Sequence, residues 1–214
     1  MEIKPFYFNE LRECCYVAWD DTKECVIIDP GCGSDKEFGR LSGFVSDNAL
    51  KPVAILLTHG HFDHVMGLED AWRYWNVPVR ANILDDIQIR NAPKYCTMLG
   101  LKSTPFTGEI ENVEDGDRIV FGNTVLEVIA TPGHTQGGVC YYNRADAVLF
   151  SGDTLFAGSI GRTDHIGGDY DQLIGSISSK LMKLDSDVAV LPGHGPSTNI
   201  GYERTTNPFL ETLW

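Results

Sequence analysis

The chain has 214 residues, enough for one sizeable core, and carries a formal net charge of −13 at pH 7. This charge argues against nucleic acid as a partner, because contact with phosphates needs a basic face. No apolar run approaches the length of a membrane span, and the segment from Met1 to Glu13 lacks the apolar stretch of a secretory signal. We therefore expect a cytoplasmic, single-domain protein over residues 1–214 that acts on a small molecule and has no membrane partner.

Short β-type runs alternate with longer mixed stretches along the chain. The predicted strands are Phe6–Phe8, Cys14–Trp19, Cys25–Ile28, Val53–Leu57, Arg118–Phe121, Thr124–Ala130, Val139–Tyr142, Ala147–Phe150 and Val188–Leu191. The predicted helices are Lys36–Asn48, Leu68–Trp75, Ile83–Asn91 and Asp169–Leu184, the last with apolar residues at helical spacing. Many strands mixed with several helices indicate a layered α/β fold.

The six cysteines do not form any C-x-x-C pair, which argues against a structural zinc knuckle. Several of them lie in apolar runs, as buried small side chains do. In the cytosol such thiols stay reduced, so we expect no disulfide framework.

The segment from Thr58 to His64 reads T-H-G-H-F-D-H and holds four potential metal ligands. In an extended chain, residues two apart point the same way, so His59 and His61 can face one metal ion. A turn after them can direct Asp63 and His64 toward a second ion. The pattern therefore predicts a metal site.

Three further candidate ligands each follow an apolar run and a glycine. His134 follows Ile129 to Gly133, Asp153 follows Val148 to Gly152, and His194 follows Val190 to Gly193. In open α/β layers, sites form beyond the carboxyl ends of strands, and glycine lets the backbone approach closely. These side chains are therefore expected to meet the His-rich segment.

Imidazole and carboxylate ligands without thiolate suit zinc best and also iron or manganese. Seven ligands are too many for one tetrahedral ion that keeps an open position. They suit two ions about 3.5–4 Å apart that share a bridge and activate a water molecule. Asp153, with two oxygens, is the natural bridge. The predicted ligands are His59, His61, Asp63, His64, His134, Asp153 and His194.

These elements, in this order, resemble the metallo-β-lactamase superfamily. Within it, the stretches Leu155 to Gly168 and Gly195 to Leu210 resemble glyoxalase II-like (hydroxyacylglutathione hydrolase-like) enzymes. The resemblance implies a four-layer αββα sandwich and thioester hydrolysis. It also implies that Asp153 bridges both ions. Zinc β-lactamases carry cysteine at that position, which argues against β-lactamase activity. The first ion would be held by His59, His61 and His134, and the second by Asp63, His64 and His194.

The glyoxalase II enzymes of the longer type add a C-terminal helical domain that holds glutathione, and from the short stretch after His194 we expect this domain to be absent here. Arg162 is then the best candidate for a substrate contact, with a salt bridge to Asp164 as the alternative. Asp29 either orients a ligand histidine or forms a turn. His165 is expected at the rim rather than among the ligands.

We expect metal-activated water to attack the carbonyl of lactoylglutathione or a related acyl-thiol, with catalytic roles for Asp153 and for Asp63, which could relay a proton. One alternative is an oxidoreductase similar to persulfide dioxygenases, whose single iron would be held by His59, His134 and Asp153. Another is a hydrolase of a different ester or amide class. RNA processing, known in the same superfamily, is disfavoured by the acidic balance.

Overall fold

Two six-stranded sheets lie face to face at the centre of the computed structural model, which describes residues 1–211. The first sheet contains β1 (Glu2–Phe8), β2 (Glu13–Trp19), β3 (Glu24–Ile28), β4 (Lys51–Leu56), β5 (Val79–Ala81) and β6 (Ile110–Asn112), in that order. Strands β1 to β3 are antiparallel, whereas β3 to β6 pair in parallel.

The second sheet contains β7 (Arg118–Phe121), β8 (Thr124–Ala130), β9 (Val139–Asn143), β10 (Val148–Gly152), β13 (Ala189–Pro192) and β14 (Thr198–Asn199). Across the sheet, these strands lie in the order β14-β13-β10-β9-β8-β7. A small hairpin of β11 (Leu155–Phe156) and β12 (Ser159–Ile160) stands apart. Strands β8, β10 and β13 run in the same direction, so their carboxyl ends meet at one edge.

Six α-helices cover the outer faces of the two sheets or connect their strands within residues 1–211. They are α1 (Asp35–Asp47), α2 (Phe62–Val65), α3 (Leu68–Trp75), α4 (Asp86–Met98), α5 (Tyr170–Ser179) and α6 (Ile200–Thr206), with 3-10 turns at Ile83–Asp85 and Leu181–Lys183. None of these helices has the length and apolar character that crossing a membrane requires.

Three apolar clusters separate four layers. One joins the first sheet to α1, α3 and α4, the second fills the space between the sheets, and the third joins the second sheet to α5. Strand β2 explains the stacking, because all seven of its side chains are buried. Alternate residues such as Cys15 and Val17 face the helices, while Tyr16 and Ala18 face the other sheet. The αββα expectation is confirmed.

Two predicted helices have different limits in the structure. The predicted helix at 169–184 is wrong in its second part, because α5 ends at Ser179 and a 3-10 turn follows. At the other end, Asp169 lies just before the helix and caps it by accepting a hydrogen bond from the Gln172 N–H. The helix predicted to end at Asn91 continues through Pro93 to Met98. Proline lacks the N–H that a helix hydrogen bond needs, so the helix loses one bond at Pro93. The inner face of the helix, which includes Ile89, is nevertheless buried in the first core.

Candidate metal centre

All seven predicted ligands lie at one edge of the two sheets. His59 follows β4, His134 follows β8, Asp153 follows β10 and His194 follows β13. The turn expected after His61 is the short helix α2, which carries Asp63 and His64. The candidate centre is therefore built from segments that are distant in sequence but follow the carboxyl ends of strands at the same edge of the fold.

The three-histidine cluster consists of His59, His61 and His134, whose ligand nitrogens lie within 4.8 Å of one another. The centroids of the three rings are 4.5 to 4.9 Å apart. His59 and His134 are buried, whereas His61 is half-buried at the mouth of the site. Three imidazole nitrogens at this spacing can hold one transition-metal ion and leave a position open for a further ligand.

The mixed cluster consists of Asp63, His64 and His194, again with ligand atoms within 4.8 Å of one another. The Nε2 atom of His194 lies 3.1 Å from Oδ2 of Asp63 and 3.3 Å from Nε2 of His64. Nitrogen lone pairs that converge in this way, beside a carboxylate, can hold a second cation.

Asp153 lies between the two clusters. Its Oδ1 is 3.4 Å from Nε2 of His64, and its Oδ2 is 3.6 Å from Nε2 of His134. The same Oδ2 is 3.7 Å from Nε2 of His194. One carboxylate therefore reaches donors of both clusters, which is the placement that a shared ligand of two ions needs.

The outward-facing ring nitrogens of four histidines are occupied. Each Nδ1–H donates to an oxygen, which leaves the Nε2 lone pair of that ring free to bind a cation. The four contacts are His59 to Thr58 Oγ1 at 3.0 Å, His64 to Asp29 Oδ2 at 3.0 Å, His134 to the Arg162 carbonyl at 2.8 Å and His194 to the Leu11 carbonyl at 3.1 Å.

Three buried atoms of the candidate ligands lack a hydrogen-bond partner among residues 1–211: Nε2 of His59, Nε2 of His134 and Oδ1 of Asp153. Leaving such atoms unsatisfied is costly, and cations bound in the two clusters would satisfy all three. The residues present thus fit a pair of metal ions, and a donor set of imidazole and carboxylate suits zinc, iron or manganese.

The pKa values of the site reflect a crowded, buried set of charges. Burial, reinforced by neighbouring imidazoles, lowers the pKa of His61 to about 3 and that of His59 well below its ordinary range. Burial alone would raise the pKa of Asp153, but the imidazoles around it, His64 above all, bring it far below its usual range. The carboxylate is therefore ionised and available to a cation at any physiological pH.

Asp29 connects ligands of the two clusters. It has a left-handed backbone, with φ of 51°, directly after β3. Its carboxylate accepts hydrogen bonds from the N–H and the hydroxyl of Thr58, at 2.7 and 2.6 Å, and from His64. Thr58 in turn accepts from His59. Asp29 thus both shapes the turn and orients the ring of a candidate ligand.

Two glycines of the motifs permit the close approach of these strand ends. Gly152 has φ of +48°, and a Cβ there would collide with the Thr58 side chain. A Cβ on Gly193 would collide with Oδ1 of Asp153 and would lie 2.6 Å from Cε1 of His64. The glycines before Asp153 and His194 therefore leave the space in which the donors converge.

Arg162 lies at the edge of the centre with its guanidinium directed toward Asp164. Its Nε and Nη2 donate to the two oxygens of Asp164 at 2.7 and 3.0 Å, and both side chains are about 70% exposed (69% and 72%). The backbone carbonyl of Arg162, in contrast, accepts the hydrogen bond from His134. The ion pair that the sequence left as the alternative is present, and a substrate contact stays a prediction.

Two residues near the ligands were missed or undervalued from the sequence. The ring centroid of His165 lies 4.7 Å from that of His61 and 5.1 Å from that of His134, so it lines the site although its sequence suggested only a rim position. Glu13 is fully buried, 4.0 Å from Nδ1 of His64, and burial raises its pKa well above 4.5. The signal for Glu13 in the sequence was an acidic residue at the start of an otherwise apolar strand.

The sequence profile of the Metallo-beta-lactamase superfamily matches residues 12–194 of the chain. A probable metallo-hydrolase of Bacillus subtilis, YqgX, is 37% identical over 192 residues, which cover 87% of each protein. The hydroxyacylglutathione hydrolase GloC of Haemophilus influenzae is 34% identical over 214 residues, which cover 99% of each protein.

Solved structures of similar proteins have the same arrangement over almost the whole chain. TTHA1623, solved in a di-iron-bound form, is 35% identical with a TM-score of 0.87 and covers 97% of this chain and 100% of its own. The BLEG-1 B3 metallo-beta-lactamase is 36% identical with a TM-score of 0.86, covering 98% and 100%. ETHE1 from Myxococcus xanthus is 26% identical with a TM-score of 0.78, covering 97% and 84%. The chain belongs to the metallo-β-lactamase superfamily.

Proposed function

We propose that the chain is a dinuclear metal-dependent hydrolase that cleaves thioesters. The three-histidine cluster would hold one ion, the mixed cluster the other, and Asp153 both. The observation that carries the proposal is the position of Asp153, whose oxygens lie 3.4 to 3.7 Å from nitrogens of both clusters. The similarity to GloC, a hydroxyacylglutathione hydrolase, favours a thioester over other acyl compounds.

Two bound divalent ions would lower the pKa of a water molecule and polarise the carbonyl oxygen of the substrate. The protein supplies the framework for this chemistry. Asp153 stays ionised because the surrounding imidazoles lower its pKa. The hydrogen bonds from Nδ1 of His59 and His64 fix their rings with Nε2 directed inward. The carboxylate of Asp63, beside His194, can accept a proton from the attacking water and pass it to the departing thiolate.

A cysteine nucleophile is disfavoured by the state of the thiols. All six cysteines are free and buried. Burial raises the pKa of Cys140 to about 11 and that of Cys15 well above 9.0, so these thiols are neutral at physiological pH. Because the thiolate rather than the thiol is the nucleophile, hydrolysis by water is the chemistry that the site favours.

The acyl group and the thiol carrier are proposed only in outline. Lactoylglutathione is a candidate, but it is an anion and the chain carries a net charge of −13. Arg162, at the edge of the site and paired with Asp164, is the cation that we propose as a contact for a substrate carboxylate. We therefore expect hydrolysis of lactoylglutathione with a high KM.

The direct test is a thioester panel assayed for released thiol: lactoylglutathione, acetyl-coenzyme A and a short acyl ester of a neutral thiol, each beside its oxygen-ester or amide analogue. We expect turnover of at least one thioester, abolished by a chelator and restored by zinc, iron or manganese. Absence of thiol release from every thioester, by protein shown to contain its metal, would refute the thioesterase assignment.

Two alternatives are favoured by specific similarities. The segment Gly161 to Asp164 (Gly-Arg-Thr-Asp) resembles that of persulfide dioxygenases and supports an oxidoreductase of this kind, in which His59, His134 and Asp153 would hold one iron. Likeness to BLEG-1 supports amide hydrolysis of the β-lactam type. Oxygen uptake with glutathione persulfide, or hydrolysis of a chromogenic cephalosporin, at rates exceeding those with every thioester would favour the corresponding alternative.

A further inference from the structure

A buried carboxylate outside both donor clusters holds together the loops that carry the three-histidine cluster. Asp85 ends the 3-10 turn before α4 and is fully buried. Its Oδ2 accepts hydrogen bonds from the Gly60 N–H at 2.9 Å and from the Thr135 hydroxyl at 2.7 Å. Its Oδ1 accepts one from the Gly137 N–H at 2.7 Å. One side chain thus joins segments that are 25 and 52 residues away along the chain.

The partners of Asp85 stand beside the donors of the cluster. Gly60 separates His59 from His61, and Thr135 follows His134 directly. The three bonds therefore fix the backbone on both sides of the space between the three imidazoles. Because a ligand ring moves with the backbone that carries it, the spacing of the donors depends on these bonds.

The close contact with Asp85 leaves no space for a side chain at Gly60 or Gly137. A Cβ on Gly60 would lie 2.9 Å from the Asp85 carbonyl oxygen and 3.1 Å from its Cβ. A Cβ on Gly137 would lie 2.7 Å from Cγ of Asp85. Both separations are shorter than ordinary van der Waals contact, so a side chain at either glycine would push Asp85 away. Gly60 in T-H-G-H and Gly137 in G-H-T-Q-G-G thus share one physical reason, the close approach of Asp85.

Asp85 is itself attached to a rigid part of the fold. The helix that follows it, α4, packs its inner face into the first core through residues such as Ile89 and Ala92. In contrast, the hydrogen bonds of the Asp85 side chain within residues 1–211 reach neither the mixed cluster nor the residues adjacent to it. The mixed cluster depends instead on Asp29 and on the Leu11 carbonyl.

We propose that Asp85 is a positioning residue for the three-histidine cluster, which fixes the spacing of its donors and so strengthens binding of one of the two ions. The inference rests on the proposed two-ion site. It does not depend on the substrate, so its test uses metal affinity rather than turnover. Removing Asp85 should weaken one ion selectively, in contrast to a residue that merely stabilises the fold.

The test measures Zn²⁺ affinity by chelator competition in two backgrounds. His194→Ala removes a donor of the mixed cluster, and His61→Ala removes one of the three-histidine cluster. Because both oxygens of Asp85 accept hydrogen bonds, Asp85→Asn would place its amide NH₂ against at least one N–H or hydroxyl donor and so break that hydrogen bond. In the His194→Ala background it should raise the Kd by about 10- to 100-fold, the usual cost of removing a partner that orients a ligand. In the His61→Ala background the Kd should change by less than about twofold, since Asp85 does not contact the mixed cluster.

Asp20 provides a matched control. It is also a buried aspartate, and it accepts hydrogen bonds from the N–H groups of Thr22 and Asn123 and from the hydroxyls of Thr22 and Thr124. It follows the far end of β2, about 20 Å from the metal centre by the rise of a strand. Asp20→Asn should lower the Tm and leave the Zn²⁺ affinity unchanged in both backgrounds. Equal weakening by Asp85→Asn in both backgrounds, or none in either, would overturn the proposal.

A milder variant covers the case in which Asp85→Asn fails to fold. Thr135→Val preserves the shape of a fully buried side chain and removes only the hydroxyl that donates to Asp85. It should weaken Zn²⁺ binding in the His194→Ala background by a smaller factor and leave the His61→Ala background unaffected. Unchanged affinity in the first background would contradict the proposed role.

Discussion

Asp153 is the residue on which both donor clusters depend. Its two oxygens lie within 3.7 Å of nitrogens from His64, His134 and His194, and it follows a strand end that only glycine allows to approach so closely. In the proposed two-ion site, loss of this carboxylate would remove a ligand from each ion and leave the imidazoles without the negative charge between them.

We expect Asp153→Ala to lower kcat/KM by more than about 100-fold. Removing a residue that only orients a ligand costs up to about 100-fold, and Asp153 is proposed to bind the ions directly. Metal content should fall in parallel, as measured by elemental analysis. The exposed Asp171→Ala on α5 is the control and should retain both. Normal turnover in Asp153→Ala would rule out the bridging assignment.

Arg162 allows a sharper test of substrate recognition. Arg162→Ala should raise KM for lactoylglutathione by about two- to fivefold, the range for an exposed charged contact, with little loss of kcat. Asp164→Asn, which keeps the guanidinium and removes its partner, should leave KM unchanged or lower it. The measurement is a full saturation curve for each variant.

Other outcomes for these variants assign Arg162 differently. A large loss of kcat with unchanged KM would place Arg162 in stabilisation of the transition state. An equal rise of KM in both variants would mean that the ion pair matters for structure alone. No change in either parameter would remove Arg162 from substrate binding.

At the scale of elements, the strand ends were predictable because their signals are local. An apolar run followed by glycine and a donor residue occurs before Asp153 and His194, and the structure places β10 and β13 there, side by side and parallel. The short strands β5, β6, β11, β12 and β14 were not predicted, since two or three residues carry too little periodicity. Their positions depend on pairing with neighbours distant in sequence.

Asp20 stabilises the hairpin of β7 and β8 against the turn between β2 and β3. Burial by itself would raise its pKa, but hydrogen bonds from Thr22, Asn123 and Thr124 lower it below the ordinary value of 3.8. A carboxylate with a lowered pKa in the folded state stabilises the protein above the unfolded-state pKa. That contribution is lost as the pH falls through the folded-state pKa.

Asp20→Asn should therefore lower the free energy of unfolding by about 1–3 kcal/mol at pH 7, the cost of buried donors that lose their acceptor. The difference between variant and parent should shrink as the pH falls from about 4.5 to 2. Urea unfolding at a series of pH values measures both. A difference that is constant with pH would show that the charge of Asp20 does not contribute.

At the scale of the whole molecule, four buried or nearly buried acids lie at the candidate metal centre. Asp29, Asp63, Asp153 and Glu13 are buried or nearly so within one region, in a chain of net charge −13. Bound cations should offset their repulsion and add binding energy that only the folded state receives. We expect removal of metal by a chelator to lower the Tm, and added Zn²⁺ to restore it in a concentration-dependent way. A Tm independent of metal would contradict this.

The fold and the convergence of the seven candidate ligands at one edge could be predicted because each rests on residue types that few other sites use together. The roles of Asp85 and Glu13 could not, since each is defined by contacts between segments that the sequence does not bring together. Asp85, for example, lies in a stretch that looks like an ordinary helix start, and two of its three partners are backbone N–H groups of distant glycines. His165 carried only the signal of following Asp164 in the stretch Leu155 to Gly168.

The metal content of natively expressed protein tests the central claim most directly. Elemental analysis of the purified chain, with protein quantified by amino-acid analysis, should give close to two transition-metal ions per chain, with zinc the expected metal and iron or manganese consistent with the donor set. His61→Ala and His194→Ala should each reduce this to about one. One tightly bound iron in the parent protein, unchanged by His194→Ala, would contradict the two-ion site and favour the dioxygenase-like alternative.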